Sequence, residues 1–185
     1  MSVPARRGMT VDAFFAWSEE QPDSKRYELV DGEPVAMAPE RAAHARLKAG
    51  IWLALRDGIR SRGLPCEALP DGMTVKIDDY TAYEPDAVVQ CGERLPDDTP
   101  TVPAPVIVVE VLPPSTRGRD AGAKLDDYFR LPSVRHYLLA KTERRSVIHH
   151  RRRDDGGIET RIVTGGTLDL DPPGLSLELE RIYAG

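Results

Sequence analysis

The sequence predicts one mixed α/β domain with helices packed on a twisted mixed sheet, and three observations predict it. Val106-Ile-Val-Val-Glu-Val-Leu112 is apolar on both faces apart from Glu110, as in a central strand covered on both sides. His44, Leu47, Ile51, Leu55 and Ile59 recur at three- and four-residue spacings, which marks the buried face of a long helix. Short strand-like runs joined by polar turns fill most of the rest, with no internal repeat, low-complexity linker or break in composition. The length of 185 residues fits one such domain over 1–185, with residues 1–8 a flexible N-terminus.

In chain order, Thr10 caps a short first helix that places Val11, Phe14 and Phe15 on one face, with Asp12 at its positive dipole end. Pro22-Asp23-Ser24 breaks it. Arg26–Val30 and Glu33–Met37 flank Asp31-Gly32, a preferred type I′ pair, so they form a hairpin. Pro34 cannot donate to a ladder and puts its strand at an edge or a bulge. The long helix runs from about Glu40 to Ser61 and stops at Gly63-Leu64-Pro65. Strands follow at Cys66–Leu69, Met73–Ile77, Ala87–Gln90 and Val106–Leu112. A second helix spans Gly118–Leu131, capped by Ser115 or Thr116. Arg135–Ala140, Ser146–Arg151 and Ile158–Val163 are further strands, and an apolar tail carries Leu168, Leu175, Leu177, Leu179 and Ile182.

Composition excludes several classes. Thirty acidic against 25 basic side chains give a net charge of −5, which rules out a globally basic nucleic-acid coat. The segment Lys141–Arg161 is locally basic, and Arg144, Arg145, Arg151, Arg152 and Arg153 could meet a DNA backbone. No apolar run approaches the roughly 18 residues of a membrane span, and no apolar core follows the two early arginines as a secretory signal requires. Cys66 and Cys91 are too few for a disulfide framework and read as two reduced thiols of a cytoplasmic protein. His149-His150, in a charged hairpin without spaced partners, is no zinc site.

The informative residues are acids in apolar surroundings. Glu110 lies between Val109 and Val111, where an ionised carboxylate is costly unless paired or bound to a cation. Asp86 heads the run Pro85-Asp86-Ala-Val-Val89, and Glu28 sits in the hairpin between Tyr27 and Leu29. Adjacent strands can bring two such acids to one hard cation, with a third from an earlier element. Oxygen-only ligation selects Mg²⁺ or Mn²⁺ over zinc, and such an ion activates water for phosphodiester hydrolysis.

Pro85-Asp86 followed by Glu110-Val111-Leu112 resembles the PD-(D/E)XK nuclease superfamily. Arg26–Glu33 (RYELVDGE), Glu110–Thr116 (EVLPPST) and Lys124–Leu139 (KLDDYFRLPSVRHYLL) resemble, in that order, the Uma family of "putative restriction endonucleases", a bacterial branch of that superfamily. The likeness runs from Met9 to Ile182-Tyr183. It implies a restriction-endonuclease-like fold, Glu28, Asp86 and Glu110 as ligands of Mg²⁺ or Mn²⁺, a DNA substrate (duplex or branched) and a homodimer. It departs at one place: the superfamily lysine, two positions after the acid, is Leu112 here. The resemblance implies that Lys124 on the second helix supplies the ammonium instead, and it brings His44 near the cleft as a contact for a substrate phosphate. On this reading the chain is a metal-dependent endonuclease with Glu28, Asp86, Glu110 and Lys124 catalytic. The alternative is a non-catalytic nucleic-acid- or protein-binding module on a degenerate nuclease fold, with Leu112 its main support.

Overall fold

The computed structural model describes residues 8–22, 24–114 and 118–184, and only the backbone of 118–121. The segment 1–7 and the expected cap at Ser115 or Thr116 lie outside the described residues.

Helix α1 (Val11–Glu19) begins where the Thr10 hydroxyl accepts a 3.3 Å bond from the Ala13 N–H, and it buries Val11 and Phe14. Strands β1 (Tyr27–Val30) and β2 (Glu33–Ala36) form the expected hairpin, with Asp31 and Gly32 both at positive φ, 51° and 84°. Gly32 is also approached closely: a Cβ on Gly8 would stand 2.9 Å from the Gly32 Cα, so the chain entering α1 needs glycine at both places. Helix α2 (Ala42–Arg62) starts two residues later than expected and buries Leu47, Ile51, Leu55 and Ile59. Gly63 closes it at φ 59°.

Next come β3 (Cys66–Pro70), β4 (Val75–Lys76), β5 (Ala82–Tyr83), β6 (Ala87–Cys91), β7 (Pro105–Leu112), α3 (Gly118–Arg130), β8 (His136–Lys141), β9 (Val147–Arg152) and β10 (Ile158–Val163). A hairpin, β11 (Thr167–Leu170) with β12 (Leu175–Glu178), and the short α4 (Leu179–Ile182) end the chain. Six strands form the main sheet in the order β10-β9-β8-β7-β6-β3, with β7 and β8 parallel and every other pair antiparallel. A second sheet, β2-β1-β5-β4, leaves the Pro34 strand at an edge.

Strand β7 divides the core. Ile107, Val109 and Val111 pack with α2 and the β11–β12 leucines, whereas Val108 packs with Tyr128, Phe129, Tyr137 and Leu139 on the α3 side. Alternation puts Glu110 on the α3 side with Val108. Since β6 runs antiparallel to β7 with Ala87 opposite Val109, one further step of register brings Asp86 beside Glu110. The fold thus delivers the two acids to one end of the sheet.

Two expectations are corrected. Cys66 and Cys91 are not reduced thiols: they face each other across β3 and β6 and form a disulfide, a proximity that sheet pairing creates over 25 residues of sequence. Arg152 does not face a DNA backbone. Its guanidinium turns inward and donates to the carbonyls of Phe129, Leu131 and Val134, tying β9 to the end of α3. His149 and His150 lie in the expected hairpin, in β9, with both rings buried.

Candidate active site

The elements bring four polar side chains to the C-terminal end of β7. Glu28 arrives from β1, Asp86 from the start of β6, Glu110 from β7 itself and Lys124 from α3. The Lys124 Nζ donates to Glu28 Oε1 at 2.7 Å and to Glu110 Oε1 at 3.0 Å. It also lies 4.8 Å from the centre of the Tyr83 ring, a cation–π distance. Tyr83 is fixed in turn by a 2.6 Å bond from its hydroxyl to Asp127. The Tyr128 hydroxyl donates to Glu110 Oε1 at 3.0 Å, and the Glu84 N–H to Glu28 Oε1 at 3.0 Å.

Asp86 is engaged differently. Its Oδ2 accepts the Val111 N–H at 2.6 Å, continuing the β6–β7 ladder with a side chain where the backbone of β6 has turned away. The same residue is held on its other side: His44 Nε2–H donates to the Val111 carbonyl at 2.9 Å and stands 3.4 Å from Asp86 Oδ2. The His44 Nδ1 is then a buried atom with no hydrogen-bond partner among the described residues, 3.8 Å from Glu40 Oε1. Glu40 is bound by Lys48, whose ammonium also reaches Asp71 at 3.0 Å, and Asp71 accepts from Arg26.

The acids named from the sequence therefore fall into two adjoining groups, Glu28 and Glu110 around Lys124, and Asp86 with His44 and Glu40. Donor atoms of Glu40, His44 and Asp86 lie within 4.8 Å of one another, close enough to share a cation. Among the described residues, every bond to Glu28 and Glu110 lands on Oε1, and both contacts to Asp86 land on Oδ2. Among the described residues each acid keeps its second oxygen unengaged, and the side chains remain 12%, 14% and 11% exposed for Glu28, Glu110 and Asp86. A hard cation thus finds oxygens to bind at this end of the sheet, and the orphaned His44 nitrogen beside them.

Electrostatics follow from the burial. Desolvation, reinforced by the neighbouring Glu28 and Asp86 charges and opposed by Lys124, pushes the Glu110 carboxyl up to about 7. Burial works against the Lys124 ammonium, but Glu110 and Glu28 outweigh it and raise its pKa, so it stays charged. The hydrogen bond to Asp86 raises His44 against the opposing effect of burial. Three participants, Tyr83, Tyr128 and Glu40, were not singled out as site residues from the sequence. Tyr128 stands one helical turn after Lys124 on the same face of α3, a spacing that could have marked it. Glu40 precedes α2 and nothing local distinguishes it.

A cleft of about 360 Å³ opens beside this cluster, lined by Leu112, Leu125, Leu139, Ile148 and His150 among others. Leu112 thus contributes an apolar wall where the superfamily motif has an ammonium.

Residues 11–181 match the model of the family Uma2, described as "Putative restriction endonuclease". The chain is 27% identical over 179 residues to an uncharacterized protein, slr1290, of Synechocystis sp., a match covering 96% of this chain and 92% of the relative. Its fold is similar to the crystal structure of "a putative nuclease belonging to DUF820" from Anabaena variabilis, with a TM-score of 0.74 at 13% identity over 95% of this chain and 98% of that one.

Proposed function

The chain belongs to the Uma2 family and has its restriction-endonuclease-like fold, and from that premise we propose that it is a metal-dependent endonuclease that hydrolyses DNA phosphodiester bonds. The observation that carries the reading is the buried Glu110 beneath the Lys124 ammonium, with Asp86 next to it in register. Glu28, Asp86 and Glu110 would hold Mg²⁺ or Mn²⁺ through their unengaged oxygens. Bound there, the cation would lower the pKa of a coordinated water and draw a phosphate oxygen into place.

The remaining work falls to the chain's own groups. Lys124, held charged by its two carboxylates, supplies positive charge where negative charge develops on phosphorus. It approaches from α3 rather than from the strand, which leaves Leu112 free to shape the cleft. Tyr128 and Tyr83 keep the ammonium and Glu110 in place. His44 holds the Val111 carbonyl and would meet a substrate phosphate through Nδ1. The whole chain would act as one domain and as a homodimer, because cutting two strands suits two related sites.

The test is cleavage of plasmid and of single-stranded, duplex and branched oligonucleotides with Mg²⁺, Mn²⁺ or EDTA, beside Asp86→Ala. Cutting that needs the metal and is lost in the variant is expected. Equal cutting by both proteins would displace the site. No cutting by either on any substrate would favour a binding module on a degenerate nuclease fold, the reading that Leu112 supports.

A further inference from the structure

The two edges of the main sheet are finished differently. On β3 the Trp52 indole donates to the Ala68 carbonyl at 2.9 Å, Glu67 accepts the Leu95 N–H, and Pro70 ends the strand. On β10 no described residue pairs with the outer side. Neighbouring bonds show which groups look outward there. The Arg152 N–H donates to the Arg135 carbonyl, toward β8, and the Arg153 N–H to the Gly157 carbonyl, toward β10. Antiparallel alternation then commits Glu159, Arg161 and Val163 to β9 and turns the N–H and C=O of Ile158, Thr160 and Ile162 outward. Ile158 and Ile162 are also 45% and 70% exposed, both large apolar side chains on a strand with open main-chain groups.

We propose that β10 pairs antiparallel with β10 of a second copy of this chain, across a two-fold axis at Thr160, so that two six-stranded sheets become one. The register is self-complementary. Thr160 exchanges main-chain bonds with the partner's Thr160, and Ile158 with the partner's Ile162. Between them Glu159 stands opposite the partner's Arg161, on the other face of the sheet from the isoleucines. Moving the axis to Glu159 or to Arg161 keeps the backbone bonds possible but sets two glutamates or two arginines against each other, which destabilises a sheet. Within one chain Arg161 already donates to Glu159 at 2.7 and 3.0 Å, so the axis gathers four charges of alternating sign. The proposal names the surface of the homodimer put forward above and does not depend on cleavage.

Sedimentation equilibrium of the full chain tests it. Wild type dimerises reversibly with concentration. Glu159→Arg raises the dissociation constant by about tenfold or more, and Glu159→Arg combined with Arg161→Glu returns it to within about threefold of wild type. Opposed Cα atoms of a bonded antiparallel pair lie about 5.5 Å apart, within disulfide range, so Thr160→Cys gives a covalent, reducible dimer on mild oxidation. A wild-type monomer at every concentration would overturn the proposal. So would a dimer indifferent to Glu159→Arg and not linked by Thr160→Cys, which would leave a homodimer through another face. Neither result bears on whether the chain cuts DNA.

Discussion

Lys124 is clasped by two carboxylates, so removing it acts on stability as well as on chemistry. In Lys124→Met the charges of Glu28 and Glu110 lose their shared cation in a largely buried place, a loss of about 3–5 kcal/mol. Its pH dependence identifies the cause. Glu110 already sits near 7 with Lys124 in place, and without that cation its pKa rises further. Above the ordinary carboxylate value the native state then keeps a proton that the unfolded chain has released, so stability falls as pH rises through the native value. The variant's deficit in urea denaturation, measured without metal, is expected to be smaller at pH 5 than at pH 8. Glu28, Asp86, Glu110 and Lys124 could be named from the sequence because an acid in an apolar run and a family motif both leave a local trace. The division of labour among them could not. That Asp86 accepts the Val111 N–H while His44 donates to the Val111 carbonyl is decided by where β6 stops and by how α2 lies across the sheet.

At the scale of elements, β8 and β9 carry a pair of histidines that the mechanism does not use. His136 Nε2–H donates to the Pro172 carbonyl at 2.9 Å, which leaves Nδ1 to accept from His149 Nε2–H, also at 2.9 Å. Burial holds both neutral, His136 down to about 3 and His149 down to about 4. Here the unfolded chain takes up protons first. The stability these rings contribute is complete above about pH 6.5 and is lost as pH falls toward the native values. His149→Gln keeps a hydrogen-bonding side chain but does not titrate, so wild type should lose up to about 3 kcal/mol relative to it between pH 6.5 and 4, as read by denaturant midpoints at each pH. The long periodic elements, α2 and β7, were legible because their patterns extend over many residues. Strand β5, only Ala82–Tyr83, is too short to show a period. The contribution of β11 and β12 to the α2-side core, like the Cys66–Cys91 bond, arises from contacts between segments distant in sequence.

For the whole molecule, charge is the constraint. A chain of −5 whose site gathers carboxylates repels a phosphate backbone until a cation intervenes. Anisotropy of a labelled duplex should therefore show little binding in EDTA and clear binding with Ca²⁺, and Asp86→Ala should weaken the calcium effect. Equal binding in EDTA would mean that a basic surface, not the cation, holds the DNA. The basic segment offers limited help: Arg145 is paired with Glu180, Arg153 with Asp155 and Arg161 with Glu159. Sequence composition could show the sign of that problem, but which arginines are already spent depended on the folded arrangement. The bond between Glu28 and Lys124 spans 96 positions of the chain. While the protein is being synthesised, the hairpin bearing Glu28 leaves the ribosome long before the helix that brings its counter-charge. A nascent chain thus holds scattered acids, and the cluster around Lys124 assembles only once translation has passed α3 and the sheet has closed around it.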